Sequence, residues 1–175
     1  MIIMEEMIKI PEERIGVLIG PDGKTKSEII KKTHCILDID SEEGEVSIFG
    51  EGEDFLKAQD IVKAIGRGFS PLRAFKLLEE GYLFKILEIT SYVGRNKSAQ
   101  QAKRGRVIGK NGDARKEIEK KTGALISVYG KTVAIIAKPE GLEKAMEAVE
   151  MLLQGAAHET VENQLESKGK TRFEL

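Results

Sequence analysis

The sequence predicts an α+β protein made of two tandem units, each ordered β-α-α-β-β-α. Three observations predict it. The chain repeats itself, the apolar spacing changes period at matched places in each copy, and turn-favouring residues stand at the joints. Ile19-Gly20-Pro21-Asp22-Gly23 aligns with Ile108-Gly109-Lys110-Asn111-Gly112 at an offset of 89 residues. The offset holds at Gly16/Gly105, Lys26/Arg115, Ile29/Ile118, Thr33/Thr122 and Leu37/Ile126. It then becomes 87 at Val46/Val133, Ile48/Ile135, Ala58/Ala145, Val62/Val149 and Gly68/Gly155. A change of two residues inside one turn accounts for the step. Chance similarity would not keep register through both blocks.

The elements follow in chain order. Residues 7–10 and 84–89 alternate apolar and polar and predict the first strand of each copy. A helical segment then runs into the glycine pair. A second helix carries Ile29 and Ile30 in one copy and Ile118 in the other. It stops at Thr33-His34 or Thr122-Gly123. Glycine suits a left-handed helix stop, and histidine is among the better non-glycine residues there. Two strands follow, Ile36–Asp40 with residues 45–49, and residues 124–129 with Thr132–Ala137. Glu43-Gly44 and Gly130-Lys131 supply the hairpin turns. A closing helix carries Ala58, Ile61, Val62 and Ile65, or Leu142, Ala145, Ala148, Val149 and Leu152, at helical spacing.

The boundaries fall at residues 1–69 for the first unit, 70–81 for a short interdomain helix, 82–157 for the second unit and 158–175 for a helical tail. Ser70-Pro71 starts the interdomain helix, Gly81 ends it, and Leu72, Phe75 and Leu78 form its expected apolar face. In the tail, Val161 and Leu165 are helically spaced, so it is expected to extend the last helix and fray from Gly169. The second copy carries an insertion: Ile10 to Gly16 spans six residues, whereas Ile89 to Gly105 spans sixteen.

Charge divides the copies. The chain has 175 residues, with 28 Lys and Arg against 29 Asp and Glu, a net charge of −1. Residues 1–70 hold nine basic and fifteen acidic side chains, and residues 82–157 hold fourteen and eight. One copy is thus near −6 and the other near +6, and such asymmetry points to nucleic acid or membrane contact. No apolar run approaches the roughly 18 residues of a membrane helix, and the start lacks a basic region before its short apolar stretch. A single cysteine, Cys35, forms no internal disulfide, so a reducing cytoplasm is expected.

The glycine pairs carry the chemistry. Glycine lets one backbone approach another closely. The helix that follows offers unpaired N–H groups and a positive dipole end, which suit a phosphate. An apolar residue just before the pair can floor a groove for bases. Two such turns in matched contexts point to a clamp on single-stranded nucleic acid. The second turn is the stronger candidate. Residues 95–121 balance at +7, with Arg95, Lys97, Lys103, Arg104, Arg106, Lys110, Arg115 and Lys116 among them, against +2 for residues 9–32. In the first turn Pro21 lacks an N–H and Asp22 repels a phosphate, so Gly20, Gly23, Lys24 and Lys26 form the weaker site.

Gly109-Lys110-Asn111-Gly112 with Ile118 and residues 122–128 resembles the type I KH signature, and the first copy resembles it through Gly20-Pro21-Asp22-Gly23, Ile29 and Leu37-Asp38-Ile39. The resemblance implies two tandem KH domains, each a three-stranded antiparallel sheet with helices packed on one face. Lys26 and Arg115 depart from it, standing where an aliphatic residue is usual. Gly66-Arg67-Gly68-Phe69-Ser70-Pro71, Tyr92-Val93-Gly94-Arg95-Asn96 and residues 127–133 further resemble the archaeal Dim-two, or partner-of-Nob, family of ribosomal RNA-processing proteins.

That narrower likeness implies a non-catalytic protein that binds the 3′ region of small-subunit rRNA, beside a PIN-domain endonuclease in a pre-ribosomal particle. The expected grip is phosphate at Gly109–Gly112, helped by Arg104, Arg106, Lys110, Arg115 and Lys116. Bases would lie against Val107, Ile108, Ile126 and Val128. The alternatives are a KH protein of another setting, such as an exosome cap subunit, or a nuclease or nucleotide hydrolase. Against hydrolysis, Gly23-Lys24-Thr25 lacks the earlier P-loop glycine, because Leu18 stands there. No His or Cys spacing suggests a metal, and no cofactor is expected. With aromatics at 5% and no Trp, a base-stacking sheet is not expected.

Overall fold

Strand β1 (Met4–Lys9) opens the chain of a computed structural model that describes residues 2–170, with side chains described to Ser167. It is followed by α1 (Glu12–Ile19), a 3-10 turn (Pro21–Gly23), α2 (Lys24–Thr33), β2 (Ile36–Asp40), β3 (Glu45–Gly50) and α3 (Gly52–Gly66). Next come α4 (Pro71–Ala74) and a 3-10 turn (Phe75–Leu78). The second copy runs β4 (Leu83–Glu88), α5 (Thr90–Val93), α6 (Lys97–Ile108), a 3-10 turn (Lys110–Gly112), α7 (Asp113–Thr122), β5 (Leu125–Tyr129), β6 (Thr132–Ala137), α8 (Pro139–Leu153) and α9 (His158–Lys170). Contacts divide the chain into two units, the first ending at Glu80 and the second starting at Gly81.

Each unit has one antiparallel three-stranded sheet, ordered β1-β3-β2 and β4-β6-β5. The strand alternation sets which residues face the helices. In unit 1 Ile8 pairs with Val46 and Leu37 with Ile48, and all four are buried, as are Leu18, Ile29, Ile61 and Ile65 on the helices. In unit 2 Ile126 pairs with Ile135, and both join Val107, Ile118, Val149 and Leu152 in the core. The first strands start earlier than the alternation implied, at Met4 and Leu83. Ile10 and Ile89 lie just past them, and their N–H groups donate to Gly44 O at 2.9 Å and Lys131 O at 2.8 Å.

The step in the repeat lies in the hairpins. Residues 41–44 join β2 to β3, whereas Gly130 and Lys131 alone join β5 to β6. In the longer turn an Asp40 carboxylate oxygen accepts from the N–H groups of Glu42 and Glu43 at 3.1 and 3.2 Å. His34 and Gly123 both hold the left-handed helix stop, at φ 58 and 76. Thr33 and Thr122 hydroxyls donate to Ile29 O and Ile118 O, each at 2.7 Å.

Two expected details are corrected. The segment after α3 does not bury Leu72, which is 84% exposed; Ala74 and Leu77 are buried instead. The segment tightens from α to 3-10 after Ala74, so residues three apart share a face. It packs on α3 within unit 1. The tail is not an extension of α8. Gly155 takes φ 101, and Ala156 N–H donates to Met151 O at 2.9 Å, a closure that ends the helix. The chain restarts at His158, and α9 packs on α7 and α8 through buried Val161 and Leu165. Helix α9 continues through Gly169 to Lys170, and any fraying beyond it lies outside the described residues.

Candidate nucleic-acid interface

The two glycine turns have one backbone. Gly109 sits at φ 74, ψ 178, Asn111 at φ 55, ψ 24 and Gly112 at φ 76, ψ 11. Gly20, Asp22 and Gly23 sit at 75 and 173, 52 and 30, and 72 and 14. The third residue is thus left-handed, which asparagine and aspartate tolerate best among residues with a side chain. This requirement explains Asp22 and Asn111, and charge alone does not reveal it. The first glycine is doubly required. A Cβ on Gly109 would meet Ala114 Cβ at 2.6 Å and Ala114 N at 2.8 Å, and one on Gly20 would meet Thr25 N at 2.8 Å. The turn is therefore drawn tight over the first residues of α7, and Asp113 N–H donates back to Lys110 O.

Around the second turn, Lys110 and Lys116 are exposed and meet no carboxylate among the described residues. Lys116 Nζ comes within 3.5 Å of Asn111 O. Arg104, on α6, donates to Gly130 O at 2.8 Å, which ties the helix to the β5–β6 turn. Ile108 and Val128 are half-buried between these elements, and Gly105 leaves open space on α6. A residue without a side chain on an exposed helix is costly by about 1 kcal/mol relative to alanine. Gly105 and its twin Gly16 have no internal packing that requires them, so both leave flat helix surface that a base could approach. Sequence reasoning met these glycines only as marks of the repeat.

Several expected contacts are placed elsewhere. Val107 and Ile126 are 0% and 2% exposed and belong to the core, so they do not line a groove. Ile126 and Val128 stand two apart on β5 and share its core-facing side, and Val128, nearer the strand's end, is the one left half-buried. Arg106 is also corrected. Its Nε donates to Leu152 O at 3.3 Å and its Nη2 to Ala156 O, closing the end of α8. His158 Nε2 stands 2.8 Å from Arg106 O in the same junction. Arg14 does this work in unit 1, donating to Ile65 O and Phe69 O at 2.8 and 2.7 Å. Arg115 pairs with Glu119, and both are largely buried.

Arg95 and Lys97 are exposed at the far end of α6, about 16 Å along the helix from the turn. Lys103 is half-buried on the same helix. In unit 1, Lys24 is exposed, Lys26 half-buried, and exposed Asp22 holds the tip. Cys35 is buried, and burial pushes its thiol above the ordinary value. Among the described residues no group of three His, Cys, Asp or Glu could hold a metal ion, and no helix is long and apolar enough to cross a membrane.

Comparison with known proteins agrees with this architecture. Residues 83–170 match the family described as eukaryotic type KH-domain (KH-domain type I), and residues 5–64 match the KH domain. The KH domain-containing protein MJ0443 of Methanocaldococcus jannaschii is 44% identical over 97% of this chain and 78% of that protein. Dim2p of Pyrococcus horikoshii has a crystal structure that superposes with a TM-score of 0.87 at 48% identity, covering 94% of this chain and 99% of that one. The same protein's structure in an a/eIF2alpha-aDim2p-rRNA complex superposes with a TM-score of 0.90 at 48% identity, covering 97% and 96%. With two glycine turns on two such folds, this chain belongs to the family of tandem type I KH-domain RNA-binding proteins that includes archaeal Dim2p.

Proposed function

We propose that this protein binds the single-stranded 3′ region of small-subunit rRNA during maturation of the small ribosomal subunit, without catalysing a reaction itself. The observation that carries the reading is the Gly109–Gly112 turn, with Lys110 and Lys116 free of carboxylates among the described residues, in a chain 48% identical to a protein crystallised with rRNA. A phosphate at the turn would meet backbone N–H groups and the positive end of α7. Arg104 at the groove's far side would hold the next stretch of backbone. Bases would rest on Ile108, Val128 and the bare surface at Gly105, and be read on their edges.

A cytoplasmic pre-ribosomal particle is the setting, and a PIN-domain endonuclease would supply the cleavage that this chain does not perform. Fluorescence anisotropy with a labelled single-stranded oligoribonucleotide of the rRNA 3′ sequence tests the clamp. Asn111→Asp keeps the left-handed backbone and adds a charge that repels phosphate, so affinity should fall by about tenfold or more. Unchanged affinity would remove the clamp. The same RNA incubated with the protein and Mg²⁺ or Mn²⁺ should stay intact.

A further inference from the structure

Unit 1 is open at a place where unit 2 is closed. At the end of α2 remote from the glycine turn lies a cavity of about 430 Å³, walled by Ile3, Ile36 and Phe49 and rimmed by His34, Glu51 and Asp54. The ten residues of α2 put about 15 Å between it and the turn. In the repeat, Asp54 corresponds to Gly141, where a Cβ would stand 2.5 Å from Thr122 O. Helix α8 therefore lies directly on the end of α7. No such approach is possible with a side chain at position 54. The other partners also differ. Glu51 corresponds to Lys138, His34 to Gly123, and half-buried Phe49 to fully buried Ile136.

The cavity joins two chemistries. Ile3 and Ile36 are 69% and 64% exposed and line the same space, an apolar patch rather than scattered single residues. Glu51 and Asp54 supply negative charge, Glu5 pairs with Phe49 across the sheet, and among the described residues no lysine or arginine lines the space. His34 Nδ1 stands 3.2 Å from an Asp54 carboxylate oxygen, with both side chains exposed. An acidic rim repels a phosphodiester backbone, so nucleic acid does not suit it. A guanidinium can lie on an aromatic ring and pair with a carboxylate at once. We propose that this cavity docks a protein segment presenting an arginine or lysine beside an aliphatic or aromatic side chain. Unit 1 would then offer a protein site about 15 Å from its glycine turn.

Nuclear magnetic resonance on the ¹⁵N-labelled full chain tests this. The probes are a synthetic peptide alternating leucine and arginine, one alternating leucine and glutamate, and a single-stranded oligoribonucleotide. The basic peptide should shift the amides of His34, Ile36, Phe49 and Asp54, and the acidic one should not. Glu51→Gln with Asp54→Asn, a nearly isosteric change, should weaken the basic peptide at least fivefold and leave RNA affinity unchanged. The proposal is overturned if the basic peptide leaves these amides unmoved, if both peptides act alike, or if the neutralised variant binds as well. It is also overturned if RNA, rather than peptide, shifts the cavity.

Discussion

The turn of unit 1 and the turn of unit 2 differ by no more than about six degrees at the compared angles, yet their two tip residues carry opposite charge, Pro21-Asp22 against Lys110-Asn111. Glycines and an Asx residue build the backbone in both. Lys110 and Lys116 add cations in one, where Pro21 and Ser27 stand in the other. Shape and charge are therefore separable properties of this loop. Retaining the shape in unit 1 keeps the packing of α1 against α2, whatever the turn binds.

The largest expected effect breaks the shape itself. Gly109→Ala combines a left-handed φ with a Cβ 2.6 Å from Ala114 Cβ, so it should cost about 3 kcal/mol or more of stability. Gly112→Ala shares the φ but meets nothing closer than Lys116 Cε at 3.7 Å, so about 1 kcal/mol is expected. Thermal unfolding followed by circular dichroism separates them. Equal losses would mean that the turn is not drawn tight over α7.

Next in size is Arg106→Met. It should cost about 1–3 kcal/mol, because two carbonyls at the end of α8 lose a charged donor. The logarithmic salt slope of RNA binding should stay as it is. A shallower slope would return Arg106 to the phosphate contacts. Arg14→Met should do the same to unit 1, since Arg14 closes the end of α3.

This pair marks the limit of what the residues disclose. The repeat, the glycine turns and the order of elements along the chain were legible because each rests on local spacing. Arg106 was not, since its partners lie 46 and 50 residues away and its neighbours are cations of the same type. Val107 and Ile126 were misplaced for a related reason. Apolar residues at the rim of a groove and apolar residues beneath it stand in the same apolar run, and only packing tells them apart. Leu72 failed because a change from α to 3-10 winding moved the buried face. The Asx requirement of the third turn position was legible in principle, from Asp and Asn recurring at one place in both copies.

A smaller effect compares the cations. Lys110→Ala should reduce the slope of log affinity against log salt by about 0.7, the loss of one phosphate contact on a single strand. Lys24→Ala should change it less, because Asp22 beside it already repels the strand. The reverse ranking would make unit 1 the principal grip.

The smallest effect is a gain, and it asks whether turn charge alone separates the units. Pro21→Lys with Asp22→Asn gives unit 1 the tip residues of unit 2. The introduced asparagine would hold the left-handed position as Asn111 does, and the introduced lysine restores an N–H. Measured in the Asn111→Asp background, where unit 2 grips weakly, the change in unit 1 becomes visible. About threefold tighter binding is expected, since residues 1–70 still carry a large excess of acidic side chains. Their field opposes a phosphate backbone beyond the turn, and Ile15 is buried where unit 2 has Arg104. Recovery of full affinity would show that two tip residues decide the matter. No gain at all would place the difference between the units in the groove wall, at Arg104, rather than in the turn.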